Sequence, residues 1–256
     1  MQLPPGQPHQ EIAAWLAEQG LRNLPLEEMV DGFARRLNEA GVLVARVFVG
    51  MNTLHPLLRA HSLIWDRVTG PSTRFQFQHG EVALPIMRES PFATMLRDGT
   101  SEMRCDLTLP PRAGEWPVFA ELRGLGMTDW LGRVFPFGEL APQLPGAAPE
   151  SARELWLVAS LATDHAGGFG VSEMATLNGL LPLFALAVKA TTMRSVGQGL
   201  LSSYLGSDPA RRVLSGAVQR GEVQEVEAVL FYADLRDFTA LADAFPGREL
   251  IALLDE

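Results

Sequence analysis

The sequence predicts an α+β sandwich built around one sheet, with a long helix after it. Three observations carry this. Apolar residues first recur at helical spacing, in Glu11–Glu18 and in Leu26–Ala40, where Met29, Phe33 and Leu37 step by four along one face. The pattern then changes to β-branched or alternating runs at Val42–Val49, Ala60–Val68, Glu102–Leu109 and Glu154–Thr163. Helical spacing returns after the turn Asp164–Phe169 and runs past residue 200.

Each element has its own punctuation. Residues 1–10 are polar and Pro-rich and read as a loose tail. Gly41 ends the second helix in the manner of a C-terminal glycine. Thr69-Gly70-Pro71 stops the second strand, and Phe75–Gln78 begins a third. Ser90-Pro91 opens a short helix to Arg97, with proline at the first helical position. Pro110-Pro111 stops the strand at 102–109, and Pro117–Leu125 follows as a helix. Thr128–Phe137 is a strand running into the loop Pro142–Pro149. Ser172 is placed to cap the last long helix, with Glu173 in its first turn, where the positive end of the dipole favours it. Pro182 is a potential kink. Leu186, Met193 and Leu200 are seven apart, with Ala190, Gly197 and Tyr204 four residues after each. This short heptad fits either packing on its own domain or a dimer seam.

Composition narrows the function classes. The net charge is −9, with no long basic run, so the footprint of a nucleic-acid binder is absent. All but one of the basic residues are arginine, Lys189 being the exception. The single cysteine, Cys105, excludes an internal disulfide and a Cys-rich zinc site and fits a reducing cytoplasm. It lies in an alternating run and reads as a strand residue. The stretch MQLPPGQPHQE has neither a basic n-region nor an apolar h-region and is not expected to act as a signal peptide. The most apolar stretch, Leu177–Val188, is too short for a membrane span and contains Pro182. A soluble, cytoplasmic protein is expected.

The order of elements resembles the GAF family of small-molecule sensor domains over Leu26–Leu200. The likeness rests on Leu122–Trp130 (LRGLGMTDW), the strand Leu155–Thr163, and Asp164–Gly170 (DHAGGFG) entering the last helix. It implies an antiparallel sheet flanked by helices, with an unknown small-molecule effector in a cup over the sheet. Candidate residues for that cup are His61, Trp65, Arg104 and Trp130, with His55 and Asp164 as further polar groups. Each also has an ordinary structural role open to it.

The character changes again after Tyr204. Val226–Leu230 reads as a strand, followed by Phe231-Tyr232-Ala233-Asp234-Leu235-Arg236-Asp237-Phe238-Thr239 and helical stretches at Ala240–Ala244 and Glu249–Leu254. A strand that ends on an aspartate, then a turn and a helix N-terminus, brings backbone N–H groups and a carboxylate together. That combination suits phosphate and a divalent cation. The string YADLRDFTALAD resembles the first signature of class III adenylate and guanylate cyclases, and RRVLSGAVQRGE resembles their lead-in. The resemblance implies that Asp234 and the backbone carbonyl of Leu235 bind Mg²⁺ or Mn²⁺. It also implies that the backbone at Asp237, Phe238 and Thr239 cradles a triphosphate. The family commonly has glycine where Asp237 stands. The second metal aspartate, the base-selecting residues and the transition-state Arg and Asn fall beyond Glu256. These 256 residues alone are therefore expected to make no cyclic nucleotide.

The expected organisation is a tail and helix (1–25), a GAF-like sensor (26–190), a signalling helix and linker (191–225), and the start of a ferredoxin-like cyclase domain (226–256). The parent protein is expected to be a dimeric adenylate cyclase acting on ATP. The alternative is a stand-alone sensor carrying a vestigial cyclase fragment.

Overall fold

The computed structural model describes residues 8–52, 58–78, 89–139, 154–216, 229 and 231–254. The chain forms two compact units, Met1–Gly216 and Ala217–Glu256. The predicted α+β architecture is what the first unit has. Its six strands are β1 (Arg46–Asn52), β2 (Leu58–Asp66), β3 (Gly70–Gln78), β4 (Glu102–Asp106), β5 (Asp129–Glu139) and β6 (Glu154–Thr163). They form one sheet in the order β3-β2-β1-β6-β5-β4, with every pairing antiparallel.

Helices cover both faces. On one face lie α1 (Pro8–Arg22), α2 (Leu26–Glu39) and the 35-residue α5 (Val171–Leu205). They share the main core with Val47, Val49, Leu63, Leu131, Leu157 and Leu161 of the sheet. Phe33 of α2 stacks on Phe184 of α5 with ring centroids 4.5 Å apart. The other face carries α3 (Pro91–Asp98) and α4 (Pro117–Gly124). There Met95 packs with Val134 and Val158, and Phe119 and Leu122 pack with Trp130 and Ala162. The alternation of a strand sends successive side chains to these two cores.

Several boundaries differ from the expected ones, each for a physical reason. The apolar run from Val42 begins as a connection, and β1 starts only at Arg46. The Asn38 amide donates to the carbonyls of Ala34 and Val44, and its Oδ1 accepts from the Val44 N–H at 3.2 Å. Those bonds tie residues 42–44 to the end of α2 instead of to a strand partner. β3 is longer than the Phe75–Gln78 stretch because its Gly70–Arg74 half is polar and lacks an apolar signal. The N-cap of α5 is Gly170, not Ser172. Glu173 reaches back to accept the Gly170 N–H at 2.6 Å, so the acidic side chain does the capping from within the first turn.

Pro182 lies inside α5, which remains one continuous helix and includes the Leu177–Val188 stretch. By length and composition alone α5 could cross a membrane. Its residues Leu177, Leu180, Leu181, Phe184 and Val188 are buried in the core. Along the heptad row Leu186 is 63% and Tyr204 80% exposed, while Met193, Gly197 and Leu200 are half-buried. Packing within the domain therefore leaves Leu186 and Tyr204 uncovered. After Gly206 the chain turns into α6 (Ser207–Leu214).

The second unit contains α7 (Phe238–Ala244) and α8 (Gly247–Leu254). The expected strand Val226–Leu230 and the loop Pro142–Pro149 lie outside the described residues, Val229 apart.

Candidate functional site: a cavity and an ion-pair node at the sheet edge

The sheet register decides which of the candidate residues can meet. Trp65, Val47, Leu161, Leu131 and Arg104 are consecutive partners in one row across five strands. Four strand spacings separate Trp65 from Arg104, about 19 Å. The side chains between them are core. Trp65 is buried, and its indole N–H donates to Asp31 Oδ1 of α2 at 2.8 Å. That bond, and more strongly the Arg35 guanidinium beside it, holds the Asp31 carboxyl below its usual range. Trp130 sits in the neighbouring row, on the opposite face, between Cys105 and Ala162. It is buried against Phe92 and Phe119. Gly132 stands where the Trp130 ring lies over β5, and a Cβ there would come within 2.2 Å of that ring.

The two tryptophans are therefore core residues on different faces, and the expected shared cup with Arg104 is not formed. His61 pairs through its backbone with Met51 and Gln76; its side chain lies outside the described residues, as does His55. Asp164 forms an ion pair with Arg67.

Arg104 does occupy a distinctive place. It is on the edge strand β4, and its guanidinium grips the buried carboxylate of Asp129 through Nε at 3.0 Å and Nη2 at 2.6 Å. Nη2 also donates to the Phe169 carbonyl at 2.5 Å. Asp129 Oδ2 in turn accepts the Phe169 N–H at 2.9 Å. Gly168 makes this approach possible: its φ is +64°, and a Cβ there would lie 2.8 Å from Asp129 Oδ2. Two strands and the segment entering α5 are thus joined by one charged node. The Asp129 side chain is 4% exposed and that of Arg104 is 42%. The buried carboxylate is satisfied by charge-assisted bonds on both oxygens.

Arg104 also belongs to the wall of a cavity of about 460 Å³ beneath the loop that joins β4 to α4. Met103, Cys105, Trp116 and Phe119 supply its apolar lining. The loop is pinned from behind by Arg123 of α4, which donates to the Leu107 carbonyl at 2.9 Å and to both oxygens of Glu115 at 2.5 and 3.0 Å. That pairing keeps the Glu115 carboxyl below its usual range. At the other end Asp106 Oδ1 accepts the Thr108 N–H and hydroxyl. Burial raises the Cys105 thiol above its ordinary value, and Glu115 adds to that, so it is a neutral part of the wall. Sequence reasoning named Arg104 but missed Asp129 and the cavity. Asp129 looks like an ordinary polar residue at a strand end, and its partners are 25 and 40 residues away in sequence.

In the second unit, residues 231–237 are exposed and lead into α7. The Leu235 carbonyl accepts the Phe238 N–H at 3.3 Å, closing a turn. Asp237 is the N-cap and has a left-handed backbone, φ +59° and ψ 24°. Among non-glycine residues, Asp and Asn best tolerate that conformation. Among the described residues no three His, Cys, Asp or Glu side chains gather as a metal-binding group.

No protein-family model matches this chain, and neither does any curated protein. Among solved structures it is similar to the phycoerythrobilin-bound GAF domain of a cyanobacterial phytochrome, at 10% identity over 76% of this chain and 100% of that one, with a TM-score of 0.46. It is also similar to CepR2, an N-acylhomoserine-lactone-dependent LuxR-family transcription factor from Burkholderia cenocepacia, at 11% identity over 73% of this chain and 96% of that one, TM-score 0.39. A third is the VqsR LBD domain from Pseudomonas aeruginosa, at 15% identity over 73% and 98%, TM-score 0.38.

Proposed function

We propose that the first unit is a GAF-like small-molecule sensor whose output is the long helix α5. The observation that carries this reading is the double position of Arg104. It is a wall residue of the cavity between Met103 and Cys105, and its guanidinium, on the Leu131 face of β4, is hydrogen-bonded to the segment that starts α5. A ligand that shifts β4 changes the geometry at Arg104 and Asp129, and with it the first turn of α5. That helix then has two chemically distinct sides: a core side, and an outward row at Leu186 and Tyr204 suited to a second copy of the chain.

The finer reading is that the parent protein is a cytoplasmic, homodimeric class III adenylate cyclase, with the catalytic domain beginning near residue 226. The string YADLRDFTALAD supports it, and so does the left-handed backbone at Asp237, the position where that family commonly has glycine. In the complete domain Asp234 and the Leu235 carbonyl would hold Mg²⁺ or Mn²⁺, and the backbone of Asp237, Phe238 and Thr239 would meet the ATP triphosphate. The test is a cyclase assay on the protein encoded by the whole reading frame, with ATP and GTP and either metal. Cyclic AMP formation that is lost in Asp234→Ala is the expected result. Activity retained in that variant refutes the metal role. Absence of activity in the wild type favours the alternative, a stand-alone sensor, for which the separate compactness of Met1–Gly216 speaks.

A further inference from the structure

The cavity under the β4–α4 loop carries three arginines in its wall, and they are not equivalent. Arg123 is committed to Glu115 and the Leu107 carbonyl. Arg104 is committed to Asp129 and the Phe169 carbonyl. Arg112 is exposed and donates no side-chain hydrogen bond among the described residues. The two acidic groups of the wall are already engaged, Asp106 with Thr108 and Glu115 with Arg123. The Arg112 guanidinium, near enough to Glu115 to act on it by charge but donating no side-chain hydrogen bond, therefore stands at the rim of a hollow whose other charged groups are already paired. The floor is aromatic: Trp116 meets Phe119 edge-on, with centroids 5.6 Å apart.

We propose that this cavity binds a small monocarboxylate with a flat or short apolar body. The body lies against Trp116 and Phe119, and the carboxylate takes the fork of Arg112. A guanidinium matches a carboxylate with two parallel hydrogen bonds, which fixes orientation as well as charge. A cation would be repelled by Arg112. A phosphate dianion would find a single free positive group where it needs more than one. The volume, about 460 Å³, lies in the range of small-molecule sites and suits an acid of roughly a dozen heavy atoms. This inference rests on the sensory reading of the first unit and supplies the ligand class that reading lacks.

Phenylacetate and its uncharged amide, phenylacetamide, are the probes, titrated calorimetrically into the full chain. Saturable binding of phenylacetate is expected, weakened about tenfold or more both for the amide and in Arg112→Gln. Ala113→Trp, which fills the cavity from its loop side, removes binding while the melting temperature stays near the wild-type value. Equal affinity for acid and amide overturns the proposal. So does unchanged binding in Arg112→Gln, displacement by equimolar inorganic phosphate, or no saturable binding of phenylacetate, indole-3-acetate or hexanoate. The two readings fail separately. Binding without any effect of Arg104→Gln on α5 refutes the coupling and leaves the ligand class standing. Absence of binding with α5 loosened by Arg104→Gln refutes the ligand class alone.

Discussion

Asp129 is the residue on which the first unit turns. A carboxylate this buried persists because Arg104 and the Phe169 N–H satisfy it, and removing one partner of such a pair leaves the other uncompensated. Asp129→Ala should therefore destabilise the unit by about 3 kcal/mol, somewhat less if water reaches the half-exposed Arg104, as read from chemical denaturation. Gly168→Ala strains a left-handed backbone and pushes a methyl group against the same carboxylate. A loss of about 1–3 kcal/mol is expected by the same measurement, and a neutral outcome would mean the turn is not held as described. Acid should act through Asp31 and Glu115, whose carboxyls are held below their ordinary values by Arg35 and Arg123. Groups lowered in this way stabilise the fold above their unfolded-state values, and that stability is lost as pH falls through the folded ones. The melting temperature should be flat from neutrality to about pH 5 and drop below about pH 4, less steeply in Glu115→Gln.

At the scale of elements, much of the fold was legible in the sequence. Periodicity located α2, β6, α3 and α4 closely, because each has a strong apolar face or clear punctuation. What it misplaced was decided by contacts from elsewhere in the chain. Asn38 holds residues 42–44 out of β1, and Glu173 caps α5 in place of Ser172. The candidate site was less legible. Trp65 and Trp130 are adjacent possibilities in a list of residues, but the pleat sends them to opposite faces, and only a register shows that. Arg104 was named as a candidate beside both, and the register places it in the row of Trp65 and on the face opposite Trp130. Its true partners come from β5 and from the entry to α5, a conjunction without a local signature. Gly132 belongs to the same class. Substitution by valine there should disturb Trp130 and cost about 2 kcal/mol or more, seen as a lowered midpoint and an altered near-ultraviolet tryptophan signal.

For the whole molecule, the long helix sets the logic. Its inner side completes the core, and on its outer row Leu186 and Tyr204 are exposed. If that row joins two copies, Leu186→Glu should shift the chain from dimer to monomer in light scattering while leaving the melting temperature of the first unit nearly unchanged. A wild-type monomer would remove the dimer from the account. The coupling between cavity and helix is the central claim, and hydrogen exchange across residues 165–176 tests it most directly. In Arg104→Gln, the amides of Phe169 and Met174, which are bonded to Asp129 and to the Gly170 carbonyl, should exchange about tenfold faster than in the wild type, with α2 unchanged. Exchange at the start of α5 that is the same in both proteins would contradict it.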